Sequence, residues 1–121
     1  MTADLTRQGR ASRAKGGVGE REIAQLLRSY GWPKAERSSN GRAQIARGDF
    51  LNGPGIHLEA KRCEKAEVWK WWAQAEADAQ YDPDVCHSFP PVVAFRRSRS
   101  PWLALMEFEE LLPLLALKEF G

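Results

Sequence analysis

Residues 48–61 constrain the fold of this chain more than any other stretch. Gly48-Asp49-Phe50 precedes a turn-forming run, Asn52-Gly53-Pro54-Gly55, and Ile56-His57-Leu58-Glu59-Ala60-Lys61 follows it. Ile56, Leu58 and Ala60 alternate with His57, Glu59 and Lys61, which is the period of a strand with one apolar face. Glu59 and Lys61 therefore project from the same side, one pleat apart. A hairpin over the turn would bring Asp49 back beside Glu59. Two carboxylates and an ammonium converging at a strand end form a candidate site for a divalent metal and an attacking water. His57 shares the face of Glu59 and is read as a supporting residue rather than a ligand.

The rest of the chain supplies the elements such a strand needs. Ile23, Leu26, Leu27 and Tyr30 fall at helical spacing after Glu20, and Gly31 suits the C-terminal stop. Residues 34–39 read as a short strand, followed by a polar loop. A second helix is expected from about Ala66 to Gln80, ahead of Asp82-Pro83. On it Val68, Trp72, Ala75 and Ala79 form the expected core stripe, with Trp69 or Trp71 assigned to a subunit contact and Gln74 to the site. Pro91–Arg96 is almost continuously apolar and so is expected to be a central strand. Residues 102–106 pair with it across Arg97-Ser98-Arg99-Ser100-Pro101, and a helix containing Pro113 follows Glu107. The expected fold is α/β (α+β): a mixed sheet flanked by helices, in the order α-β-β-β-α-β-β-α.

At 121 residues the chain suits one domain, read as a basic flexible arm over 1–15 and a folded unit over 16–121. Leu103–Leu117 is interrupted by Glu107, Glu109, Glu110 and Pro113, so no membrane span is expected. The N-terminus lacks a signal-peptide core, which makes the cytoplasm the expected location; the small size would suit a phage or bacterial protein. Cys63 and Cys86 stand alone and suggest neither zinc nor a disulfide framework.

Charge is uneven. Residues 1–62 hold twelve Lys/Arg against six Asp/Glu, and residues 63–121 hold six against ten. A basic N-terminal half points to a polyanion, with a nucleic-acid backbone as the natural partner. The expected DNA contacts are Arg7, Arg10, Arg13 and Lys15 in the arm, then Arg37, Ser39, Arg42, Arg47 and Arg62, and finally Arg96 and Arg97.

Gly19-Glu20-Arg21-Glu22, Gly48-Asp49-Phe50 and Glu59-Ala60-Lys61, in this order, resemble the PD-(D/E)XK nuclease superfamily, and within it the archaeal-type Holliday junction resolvases. The resemblance spans roughly residues 9–106 and departs at Gly48, where the family often has proline. It implies a restriction-endonuclease-like fold and a Mg²⁺- or Mn²⁺-dependent endonuclease that hydrolyses phosphodiester bonds in branched DNA, acting as a homodimer. Asp49 and Glu59 would be metal ligands, with the Ala60 backbone carbonyl adding an oxygen. Lys61 would position the water, and Glu20 would serve as an accessory carboxylate. The alternatives are a restriction-like or repair nuclease on other DNA or RNA, and a binding module without catalysis.

Overall fold

The alternating stretch is the strand that organises the molecule. In the computed structural model, which describes residues 17–38, 48–79 and 89–121, β3 runs over His57–Arg62 and pairs in parallel with β4, Pro91–Arg96. β4 pairs on its other side, antiparallel, with β5, Leu103–Met106, so β4 is central as its apolar composition requires. Around this sheet stand a first helix α1 over 17–29, α2 over Val68–Ala79 and α3 over Phe108–Phe120. Two very short strands, β1 (Glu36–Arg37) and β2 (Phe50–Leu51), pair antiparallel with each other. The protein is mixed α/β, with three helices and two small open sheets among the described residues.

The pleat of the three-stranded sheet sorts its side chains into two cores. Leu58 and Ala60 of β3 and Val92 and Ala94 of β4 meet Ile23 and Ala24 of α1 and Phe50 of β2. On the opposite face Val93 lies against Trp71 and Ala75 of α2, with Val68, Phe95 and Leu105 partly buried around them. The Trp71 and Phe95 rings sit 5.5 Å apart, tilted by 53°. Phe50 and Val93 are the largest side chains sealed from solvent.

Several expectations need correction. The five strands do not form one sheet, and Phe50–Leu51 does not form a hairpin with β3. Instead β2 turns away to pair with β1, and only Gly48 touches β3, through a single parallel bridge to Leu58. The connection between β2 and β3 is not a tight hairpin: the Ile56 N–H is turned back onto the Pro54 carbonyl at 2.8 Å. Of the strand expected over 34–39, the described residues 34–38 contain only Glu36–Arg37 as strand. On α1 the inward face is Ile23, Ala24 and Leu27, while Leu26 and Tyr30 are exposed. On α2 the core tryptophan is Trp71 rather than Trp72, and Trp69 is 82% exposed. The reason is phase: Trp71 and Ala75, four residues apart, face Val93, which rotates Trp72 towards the sheet margin.

Candidate metal centre at the open edge of β3

Two backbone features hold Asp49 at β3. In a parallel ladder, a residue that bonds its neighbour uses both its N–H and C=O, and the next residue faces the other way. The His57 N–H donates to Pro90 O at 2.9 Å and the Cys63 N–H to Arg96 O at 3.2 Å, so the odd-numbered residues of β3 face β4. Leu58 and Ala60 consequently direct their peptide groups to the opposite edge. There the Asp49 N–H donates to Leu58 O and the Ala60 N–H donates to Asp49 Oδ2, both at 2.8 Å. The Ala60 carbonyl faces the same edge as Asp49.

Gly48 makes this approach possible. Its φ is 75°, and a Cβ there would collide with the Leu58 carbonyl. Proline, with φ held near −65°, cannot take this conformation. Glycine rather than proline at position 48 therefore has a local steric cause.

Glu59 projects from the other face of β3, towards α2. It is the one buried charged residue among those described, with 6% exposure. His57 Nε2 lies 3.2 Å from Glu59 Oε1. Asp78, near the end of α2, shares a hydrogen bond with Glu59. One ligand atom each from His57, Glu59 and Asp78 lies within 4.8 Å of the others.

The electrostatics are those of crowded carboxylates. Burial pushes Asp49 up from its ordinary 3.8 to about 6; the Ala60 N–H opposes the rise, Glu20 and Glu59 add to it, and Lys61 offsets part. Burial also acts to raise Glu59, but the hydrogen bonds from His57 and Asp78 and the charges of His57 and Lys61 outweigh it and hold Glu59 below the ordinary range. Asp78 is raised by desolvation, by its hydrogen bond to Glu59 and by the Glu59 charge. Of the two, Asp78 is therefore the carboxylate that takes up a proton more readily. Carboxyl groups crowded in this way, with histidine and lysine close by, fit a hard divalent cation, which favours carboxylate oxygens and would relieve their mutual repulsion.

The structure thus brings Asp49, Glu59 and Lys61 into one electrostatic neighbourhood and sets Glu20 within reach of Asp49. Glu20 is also engaged by Arg37, whose Nε lies 3.0 Å from Glu20 Oε2. Two residues carry more than the sequence reading assigned them. His57 touches Glu59 directly, and Asp78 takes the place on α2 proposed for Gln74, which is exposed. Asp78 lies three residues after Ala75 and seven after Trp71, on the side of the helix nearest the buried stripe, and is itself exposed, so no burial signal marked it in the sequence.

A second carboxylate, Glu22, forms the structural counterpart to this centre. Its Oε2 accepts from Arg96 Nη1 and from Trp102 Nε1, both at 2.9 Å, and its Oε1 lies 3.7 Å from Arg62 Nε. The Arg96 guanidinium also sits 5.8 Å from the centre of the Trp102 ring. Gly19, one helical turn before Ile23, allows α1 to close on Arg62 and Trp102, whose atoms would be 3.2–3.3 Å from a Cβ at this position. Arg62 and Arg96, expected as phosphate contacts, are therefore held against α1, whereas Arg97 is exposed and Arg37 keeps 41% side-chain exposure. Arg7, Arg10, Arg13, Lys15, Ser39, Arg42 and Arg47 lie outside the described residues.

In comparisons with known proteins, no family model, curated protein or solved structure matches this chain.

Proposed function

We propose that this protein is a divalent-metal-dependent endonuclease of the restriction-endonuclease-like architecture, acting on branched DNA in the manner of a Holliday junction resolvase. The observation that carries the proposal is the electrostatic proximity of Asp49, Glu59 and Lys61 about β3, with Asp49 pinned to the Ala60 N–H at the strand edge and Glu59 meeting His57 and Asp78 on the face towards α2. The element order α-β-β-β-α-β-β-α and the basic N-terminal half support the same reading.

Asp49 and Glu59 would hold the ion, with the edge-facing Ala60 carbonyl and Asp78 as further oxygen donors. Mg²⁺ or Mn²⁺ bound there supplies Lewis-acid polarisation of the scissile phosphate and lowers the pKa of a bound water. The Lys61 ammonium orients the attacking water and offsets charge that builds on the phosphoryl oxygens. His57 orients Glu59, fixing the carboxylate through the 3.2 Å contact. Glu20, tied to Arg37, adds negative charge beside Asp49 and presents a cation at the rim where a DNA backbone would pass.

The test is cleavage of labelled four-way junction, flap, duplex and single-stranded DNA with Mg²⁺, comparing the wild type with Asp49→Ala. Paired symmetric nicks in the junction, lost in the variant while junction binding survives, are the expected result. Cutting of another substrate would retain the site and change the biology. Binding of junctions without cleavage in either protein would replace the enzyme with a binding module.

A further inference from the structure

The face of β3 towards α2 carries a ligand set that the strand edge does not share. His57 and Glu59, two residues apart on β3, present an imidazole and a carboxylate on one side of the strand. Asp78 reaches them from the last turn of α2. One nitrogen of His57 and one oxygen of each acid lie within 4.8 Å of one another. Asp49 is fastened elsewhere, to the Ala60 N–H at the strand edge.

We propose that His57, Glu59 and Asp78 form a cation position of their own, which takes a borderline transition ion of the Zn²⁺, Co²⁺ or Ni²⁺ class and needs no ligand from Asp49. Glu59 also serves the ion that the nuclease reading assigns to Asp49, so this ion is a second one beside the first. The inference goes beyond that reading and stands without it, because no part of it depends on DNA or on cleavage.

Three observations carry it. The first is spacing. Zinc bonds of 2.0–2.2 Å to nitrogen and oxygen place adjacent ligands of one ion roughly 3.0–3.5 Å apart. His57 Nε2 and Glu59 Oε1 stand 3.2 Å apart, so they already have the separation of neighbouring ligands. Asp78 closes the set by a shift on the order of 1 Å, and its exposed side chain is free to make it.

The second observation is donor type. Mg²⁺ and Ca²⁺ select oxygen, whereas an imidazole nitrogen among the donors favours zinc, nickel, cobalt and copper. His57 directs Nε2, a ring nitrogen able to bind metal, at the carboxylate that binds beside it. The third observation is that the frame is built before any ion arrives. The ladder to β4 sets His57 opposite Pro91 and Glu59 opposite Val93. Trp71 and Ala75 fix α2 on the same Val93. Buried Glu59 lies at the base of the site and exposed Asp78 at its mouth. Three protein ligands with one side open to solvent are the pattern of a reactive rather than a structural zinc site.

The test is calorimetric titration of the EDTA-stripped full chain with Co²⁺, Zn²⁺ and Mg²⁺, with NMR of the Co²⁺ form to find contact-shifted imidazole signals. The variants are His57→Gln, Asp78→Asn, Asp49→Asn and Cys63→Ser, the last because Cys63 is an exposed free thiol. The wild type should hold a single Co²⁺ at least about a hundredfold more tightly than Mg²⁺. His57→Gln and Asp78→Asn should each weaken Co²⁺ at least about tenfold, with an unchanged circular dichroism spectrum. The shifted imidazole signals should disappear in His57→Gln. Asp49→Asn and Cys63→Ser should still bind Co²⁺ and keep those signals. Absence of Co²⁺ binding, undiminished binding in His57→Gln, or Mg²⁺ bound as tightly as Co²⁺ would overturn the proposal. Loss of Co²⁺ in Asp49→Asn would assign the ion to the strand edge, and loss in Cys63→Ser to the thiol; either overturns it. Co²⁺ binding of the expected pattern in a protein that cuts no DNA would sink the nuclease reading and sustain this one.

Discussion

Replacing Asp49 with asparagine should make the metal-free protein more stable at neutral pH, although it removes the central residue of the candidate site. In the folded protein the Asp49 carboxyl is half-buried, lies in the fields of Glu20 and Glu59, and is pushed up from 3.8 to about 6. A folded state that binds the proton more tightly than the unfolded chain loses stability as pH rises between these two values. This rise corresponds to about 3 kcal/mol, fully expressed above pH 6 and absent below the unfolded value. Asparagine keeps an oxygen for the Ala60 N–H and has no charge to desolvate. At pH 8 with EDTA, Asp49→Asn should therefore gain up to about 3 kcal/mol in urea denaturation, or roughly 10 °C in Tm. Near pH 4 the advantage should fall below about 1 kcal/mol. An asparagine variant no more stable than the wild type at pH 8 would refute the burial of a charged Asp49 carboxylate beside Glu20 and Glu59.

Three further outcomes follow from the same contacts. Millimolar Mg²⁺ or Mn²⁺ should raise the Tm of the wild type at pH 8, by about 2.7 kcal/mol of stabilisation at a hundredfold excess over Kd. The gain should vanish in Glu59→Gln and shrink as pH falls through 6, where Asp49 takes up its proton; calorimetric titration and thermal melts would both show it. Gly48→Ala should cost at least about 2 kcal/mol, because a side chain at φ 75° is strained and meets the Leu58 carbonyl, and denaturant melts would measure the loss. Trp71→Ala should cost about 3–5 kcal/mol by leaving a cavity against Val93 and Phe95, while Trp69→Ala should change the stability of the isolated chain by less than about 0.5 kcal/mol. Equal losses in urea melts of these two variants would contradict the observed facing of α2.

Local periodicity made much of this protein legible without coordinates. The alternation of residues 56–61 determined that Glu59 and Lys61 share a face opposite Leu58 and Ala60, because successive strand side chains must point to opposite sides. The apolar run of 91–95 marked a strand covered on both faces, and β4 is central between β3 and β5. Helical spacing located α1 and α2. Pairing was a different matter. Whether Phe50 joins β3 or β1 depends on hydrogen bonds between segments far apart in the chain, which composition does not record. The inward tryptophan was decided by the rotation of α2 on β4, to which Trp71 and Trp72 contribute the same local signal. The candidate site divides along the same line. Asp49, Glu59 and Lys61 lie close in sequence and could be read together. Asp78 joins them only because α2 crosses back over β3, so the carboxylate pair that most favours a cation is a product of the tertiary fold.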